Sequence, residues 1–313
     1  MKKRWLSEYI HCSFIKYLET PTTENEITIG WSVYYSVYEF FNAIQNGVFA
    51  KADELGINVI AHDQKLSTTE MINGVINMLE QDIDALIIAP YNPDAMIIIA
   101  DLARDKNIPI IVIDTGYDGA IIDAFIVSDS YAGGILAGEY ALSLVDSHQI
   151  TSKNVAIIKV EEKYKYARLR GDGFTRVVED AGFTVVASEL GNSNEFDGYT
   201  AMVNILSNYG DDLAVVFAEN DRMALGAARA IDEVGKKGEI MVIGFDAEPA
   251  AITAIKEGSM QGTIAQQPFQ MGELGVELAD KLINGEKITF DDRLKREIYF
   301  EVYLVDEFGE AHI

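Results

Sequence analysis

Four apolar runs in the chain each end on a short, planar hydrogen-bonding side chain. Asp114 follows 110–113, Glu219-Asn220-Asp221 follows 214–218, Asp246 follows 240–245, and Gln266 follows 262–265. A carboxylate only accepts hydrogen bonds, whereas a carboxamide both donates and accepts. A set of this kind suits neighbouring hydroxyls on a sugar ring. Sugars also present apolar C–H faces that lie against aromatic rings, and residues 31–41 are dense in Trp, Tyr and Phe. A further aromatic, Phe196, stands in the loop Asn194-Glu195-Phe196-Asp197, and Arg168, in Ala167-Arg168-Leu169-Arg170-Gly171, offers a planar fork to a ring oxygen or hydroxyl. The chemistry these residues point to is non-covalent capture of a polyhydroxylated small molecule.

Each residue also has a purely structural reading. Asp after a strand is as readily a helix N-cap, and Asn220-Asp221 reads equally well as the cap of a helix beginning near Arg222. Phe40 and Phe41 open a helix, where an aromatic more often belongs to a core. Arg170 is read as a packing or ion-pairing residue, and Tyr164 and Tyr166 as surface or lip residues. It is the joint placement of the polar groups, at equivalent strand ends, that favours the binding reading.

The elements that must position them follow a regular rhythm. Short, β-branched apolar runs at 27–33, 57–61, 85–89, 110–114 and 124–127 alternate with segments of helical period. A second series at 155–160, 183–187, 214–218, 240–245 and 262–265 repeats the first, and a last run covers 298–304. Continuous apolar strands separated by helices imply parallel sheets covered on both faces. The expected fold class is therefore α/β, with two similar Rossmann-like lobes of parallel sheet flanked by helices. In such sheets ligands bind outside the carboxyl ends of the strands, where the polar residues above fall.

Composition narrows the classes further. With 50 acidic and 25 basic side chains in 313 residues the formal charge is -25, a field that repels phosphate backbones and anionic lipid, so no nucleic-acid partner is expected. The single cysteine, Cys12, excludes an internal disulfide. The four histidines, His11, His62, His148 and His312, are scattered, and there is no Walker loop, nucleophile motif or metal-ligand spacing. No cofactor or metal is expected. Asp114 and Asp246 could in principle form a glycosidase carboxylate pair, but non-catalytic binding is the preferred reading. Met1-Lys2-Lys3-Arg4 resembles the start of a secretory signal, yet Glu8, His11 and Lys16 interrupt the apolar run a signal needs. Apolar residues between Trp5 and Leu18 recur at three- and four-residue spacing, which describes an amphipathic helix in the extension 1–26.

From residue 27 onward the chain resembles the ribose-type periplasmic sugar-binding proteins, the receptor components of ABC importers. The resemblance rests on the Phe40-Phe41 pair before a helix with Gly47, and on "IPIIVIDT", "SDSYAGG", "ARLRGDGF", "EFDG", "VVFAENDRMALGA", "VIGFDAEP" and "GTIAQQP", in that order. It implies that Phe40, Phe41, Asp114, Arg168, Phe196, Asn220, Asp246 and Gln266 line a sugar cleft. It implies three crossings between lobes, near 128–130, near Gln266 and near 293–297, giving a first lobe of 27–128 plus 267–293 and a second of 129–266 plus 294–313. A monomer working outside the cytoplasmic membrane with an ABC permease is the implied setting; a sensor kinase or chemoreceptor is the alternative partner. Regulators of the lac-repressor type share the fold but carry about 60 residues of DNA-binding module by the same resemblance, against 26 here.

Two departures bear on the ligand. Ribose binders have arginine directly after the strand-end aspartate, where this chain has Thr115, and asparagine two residues before the Phe-Phe pair, where it has Tyr38. Replacing a five-donor fork by one hydroxyl removes charge-assisted bonds worth about 1.5–3 kcal/mol each. The expected ligand is a monosaccharide, sugar derivative or polyol other than ribose.

Overall fold

The structure, a computed structural model, describes residues 26–311. The amphipathic helix expected before residue 26 lies outside the described residues. The first half of the chain alternates strand and helix as β1 Thr28–Val33, α1 Glu39–Leu55, β2 Asn58–Asp63, α2 Thr68–Leu79, β3 Ala85–Ile88, α3 Met96–Asp105, β4 Ile110–Ile113 and β5 Ala124–Ser128. The second continues as α4 Ser130–Ser147, β6 Asn154–Lys159, α5 Lys165–Asp180, β7 Thr184–Leu190, α6 Glu195–Tyr209, β8 Val215–Ala218, α7 Asp221–Glu233, β9 Met241–Asp246, α8 Pro249–Lys256 and β10 Gly262–Ala265. It closes with α9 Pro268–Ile283, β11 Glu297–Phe300, β12 Tyr303–Asp306 and β13 Gly309–Ala311.

Two sheets result, ordered β11-β5-β4-β3-β1-β2 and β13-β12-β10-β9-β8-β6-β7. The strands β6 to β10 repeat the order of β1 to β5, so each sheet reverses direction beside its own first strand and opens a crevice there. Pairing is parallel throughout the first sheet, while β12 and β13 run antiparallel at the edge of the second. The central strands β3, β4 and β8 are buried at every residue, as helices on both faces require. Trp31, Phe125, Phe174, Phe217 and Phe245 are fully buried among them, each burial worth roughly 2–3 kcal/mol.

The single run expected at 298–304 is two strands in different sheets. β11 pairs with β5 in the first lobe, Glu297 opposite Phe125, and β12 pairs with β10 in the second, Leu304 opposite Ile264. The third crossing therefore falls at Glu301–Val302 rather than near 293–297, and 294–300 belongs with the first lobe, not the second. An apolar run that passes from one sheet into the next without a turn residue leaves no mark of the change in sequence. The chain also changes sheets after Ser128 and at Gln266–Gln267, since β5 ends in one sheet before α4 packs on the other, and β10 precedes α9, which packs on β3 and β4.

Candidate functional site

The strand ends of both lobes face each other across a cavity of about 90 Å³, several times the ~10–15 Å³ that one water requires. The first lobe contributes Tyr34, just past β1, then Tyr38, Phe40 and Phe41 around the start of α1, and Asp114 and Thr115 past β4. The second contributes Tyr164, Ala167 and Arg170 from the start of α5, Asn220 and Arg222 at α7, Asp246 and Glu248 at the end of β9, and Gln266 past β10. Of the residues expected from sequence, Tyr38, Phe40, Phe41, Asp114, Thr115, Asn220, Asp246 and Gln266 come together here.

Arg168 and Phe196 do not. On α5 the residues at 164, 167 and 170 share a face by their three-residue spacing, and that face lines the cavity. Arg168 sits about 100° round the helix and pairs with Glu162 instead. Arg170, read from sequence as structural, is the arginine of the site. It is 5% exposed, its Nη1 donates to the Glu219 carbonyl at 2.7 Å and lies 3.3 Å from Asp246 Oδ1, and its guanidinium stacks 3.8 Å over the Phe245 ring. Phe196 projects into solvent, 72% exposed, because the packed face of α6 is Gly198, Ala201, Met202 and Ile205. Tyr164 is likewise not a surface residue but is buried at the centre of the cleft.

The aspartates are held in an unusual backbone conformation. Asp114 has φ 72° and Asp246 has φ 113°, and non-glycine residues in this region cost about 1–3 kcal/mol unless the surroundings hold them there. Neither caps a helix. The turn re-aims both carboxylates from the strand line into the cleft, the kind of strain that gathers at binding sites. Asn220 does cap α7, its Oδ1 accepting from the Met223 N–H at 3.1 Å, and this leaves its NH2 free to donate. Both structural and binding readings are satisfied by the two ends of one amide. Gln266 donates to Asp246 at 2.6 Å while its own Oε1 is buried without a partner among the described residues.

The aromatic wall is continuous. Tyr34 stacks on Phe41 with centroids 4.4 Å apart, and Phe40 meets Phe41 edge-on at 5.3 Å. The Tyr34 and Tyr164 hydroxyls share a hydrogen bond of 2.6 Å across the cleft, and Tyr164 also donates to the Tyr91 carbonyl at 3.2 Å. Tyr91 is fixed in turn by Gln64, whose Oε1 accepts from the Tyr91 N–H at 2.7 Å while its amide donates to Ser32 and Ala89. Arg222 stacks 3.7 Å from the centre of the Tyr38 ring and bonds Glu248 at 3.2 Å. Lys165 pairs with Asp118 at the lip. These contacts join the lobes in a closed arrangement.

Burial raises the carboxyl groups around the cavity. Asp114 is pushed up to about 6 by desolvation, opposed by the Arg170 charge, and Asp246 to about 7 by desolvation, again opposed by Arg170. Glu219 rises to about 7 through desolvation against its bond from the Val160 N–H, and Asp221 rises well above the ordinary range by desolvation and the Asp246 charge. Folded values above unfolded ones mean that the native state holds protons the unfolded chain has released, so stability declines as pH rises through this window. The unliganded protein is expected to melt at least about 5 °C higher at pH ~5.5 than at pH ~8. Ligand affinity runs the other way, since protonated carboxyls accept fewer hydroxyl donors. Calorimetric melts and titrations at the two pH values check both; melting that is flat over this range contradicts the first.

Two doubly wound lobes closed over a polar cavity with one aromatic wall define a two-lobed small-molecule binding protein. Residues 29–287 match the family described as "Periplasmic binding protein domain". The chain belongs to that family. Ribose import binding proteins of Haemophilus influenzae and Escherichia coli are each 34% identical over 251 residues, covering 80% of this chain and 83% and 82% of theirs. A solute-binding protein from Bacillus halodurans solved with myo-inositol superposes with a TM-score of 0.79 at 29% identity, covering 90% of this chain and 95% of its own. One from Actinobacillus succinogenes solved with D-allose gives 0.80 at 27%, covering 90% and 98%. The family consists of solute-binding proteins, not enzymes. Among the described residues, no group of His, Cys, Asp and Glu is arranged to hold a metal, and no helix is long and apolar enough to cross a membrane.

Proposed function

We propose that the chain captures a monosaccharide or sugar-like polyol between its lobes, closes on it, and presents it to an ABC permease outside the cytoplasmic membrane. The observation that carries this reading is the division of the polar groups: Asp114 stands on one lobe, Asn220 and Asp246 on the other, and all three line one cavity. A ligand bonded to both sets stabilises the closed arrangement by contacts the open one lacks. Phe40, Phe41 and Tyr38 supply the apolar wall for a ring face, and Gln266 lies where the chain crosses between lobes. The relatives that import ribose, and those solved with myo-inositol and D-allose, support this class of ligand and this partner.

Thr115 supports a ligand other than ribose, since its hydroxyl is committed to the Pro90 carbonyl at 2.6 Å and offers the cavity no donor. A thermal-shift screen with pentoses, hexoses and cyclic and linear polyols tests the reading. At least one neutral or substituted sugar or polyol is expected to raise the melting temperature in a concentration-dependent way. No shift with any member, or turnover of a glycoside, overturns it.

A further inference from the structure

With its carboxyls ionised, the charges on the cavity wall do not balance. Its charged side chains are Asp114, Arg170, Arg222, Asp246 and Glu248. Arg170 lies against Asp246 at 3.3 Å and Arg222 against Glu248 at 3.2 Å, so each guanidinium already has its carboxylate. Asp114 is left over. Among the described residues its carboxylate accepts no hydrogen bond and forms no ion pair; Arg170, engaged elsewhere, acts on it only through its field.

Four of the hydroxyls on the cavity wall are committed. Thr115 donates to Pro90, Ser193 donates to Glu161 at 2.6 Å, and the Tyr34 and Tyr164 hydroxyls bond each other. The cations near the mouth face away: Lys163 lies over the Tyr91 and Tyr164 rings at 3.9 and 4.7 Å, and Lys165 is held by Asp118. A closed cleft thus keeps an acceptor-only anion, turned inward by its φ of 72°, with no counter-charge of its own. A neutral polyol could donate hydroxyls to it but would leave a net negative charge in a cleft that desolvates it, which is costly. An ammonium group supplies three donors and the missing charge together.

We propose that the preferred ligand is an amine-bearing polyol, an amino sugar or aminocyclitol, whose protonated primary amine sits on Asp114. This rests on the sugar-binding reading and narrows it. Calorimetry on the full chain at neutral pH should use matched pairs: D-glucosamine with D-glucose, D-galactosamine with D-galactose, D-mannosamine with D-mannose, and an inosamine with myo-inositol. In at least one pair the amine should bind about tenfold or more tighter, and N-acetylation should remove the advantage. In Asp114→Asn the amine-to-hydroxyl affinity ratio should fall to about one.

Neutral members that bind as well as their amines in every pair overturn the amine proposal and leave sugar binding standing. Absence of binding by every member of every pair overturns the amine proposal, and sugar binding falls with it only if the broader screen of pentoses, hexoses and polyols is negative too. An advantage retained in a folded Asp114→Asn places the amine elsewhere and overturns the assignment. Should that variant not fold, the wild-type ratios with their N-acetyl controls still decide.

Discussion

Asp246→Ala is expected to weaken ligand binding by about 3 kcal/mol or more, a loss above a hundredfold, and to lower the melting temperature as well. The carboxylate is the hub of the second lobe's polar floor. It accepts from Gln266 at 2.6 Å, at the point where the chain crosses between lobes, and faces Arg170 at 3.3 Å. Removing it leaves the Arg170 guanidinium, 5% exposed, with the Glu219 carbonyl as its remaining polar partner among the described residues. Breaking a buried pair by deleting one partner costs more than the pair itself contributes, because the other charge stays buried and uncompensated. Alanine must also hold φ 113° without the side-chain contacts that keep the aspartate there. Asp246→Asn separates these effects: it can keep the Gln266 contact and the backbone while removing only the charge, so its loss should be smaller. Calorimetric titration of a ligand from the screen gives the affinities, and a wild-type constant for Asp246→Ala would remove this residue from the site.

How much of this was legible without coordinates follows from what each signal depends on. The strands were readable because a strand buried on both faces must be apolar throughout, as in 85–88 and 215–218, and burial leaves no freedom there. Asp114, Asp246 and Gln266 were readable for the same reason, since a polar residue directly after such a run falls at a strand's carboxyl end. Arg168 and Phe196 were misplaced because the resemblance fixes a motif but not which of its residues faces inward. Two arginines two apart on a helix point about 200° apart, and the alignment of 164, 167 and 170 on one face was the available signal. The division of 298–304 between sheets was not legible, because strand exchange depends on which partner each backbone finds. Tyr164 was missed for a related reason: its burial is created by Tyr34 and Tyr91, more than 70 positions away in sequence.

The second large effect lies outside the cavity, where helices α4 and α5 touch. A Cβ at Gly134 would stand 2.0 Å from the Arg170 carbonyl oxygen and 2.9 Å from the Phe174 nitrogen, and one at Gly173 would stand 2.3 Å from the Tyr131 carbonyl. These are backbone atoms, so no rotamer can yield; the helices must part. Helix propensity alone says that Gly134→Ala should stabilise by about 1 kcal/mol, whereas the packing says it should destabilise by about 3 kcal/mol. The packing term decides, because an approach that close cannot be accommodated within the helix. The same displacement reaches the ligand. Arg170 is the residue whose carbonyl would be struck, and its guanidinium sits on the cavity wall against Asp246. Gly134→Ala should therefore lower both the melting temperature and, by about tenfold, the ligand affinity, although position 134 does not line the cavity. A variant that melts higher than wild type, as propensity alone would have it, contradicts the close approach of α4 to α5. One that melts lower but binds normally would show that α5 yields elsewhere than at Arg170, and would separate the packing of this lobe from the positioning of its site.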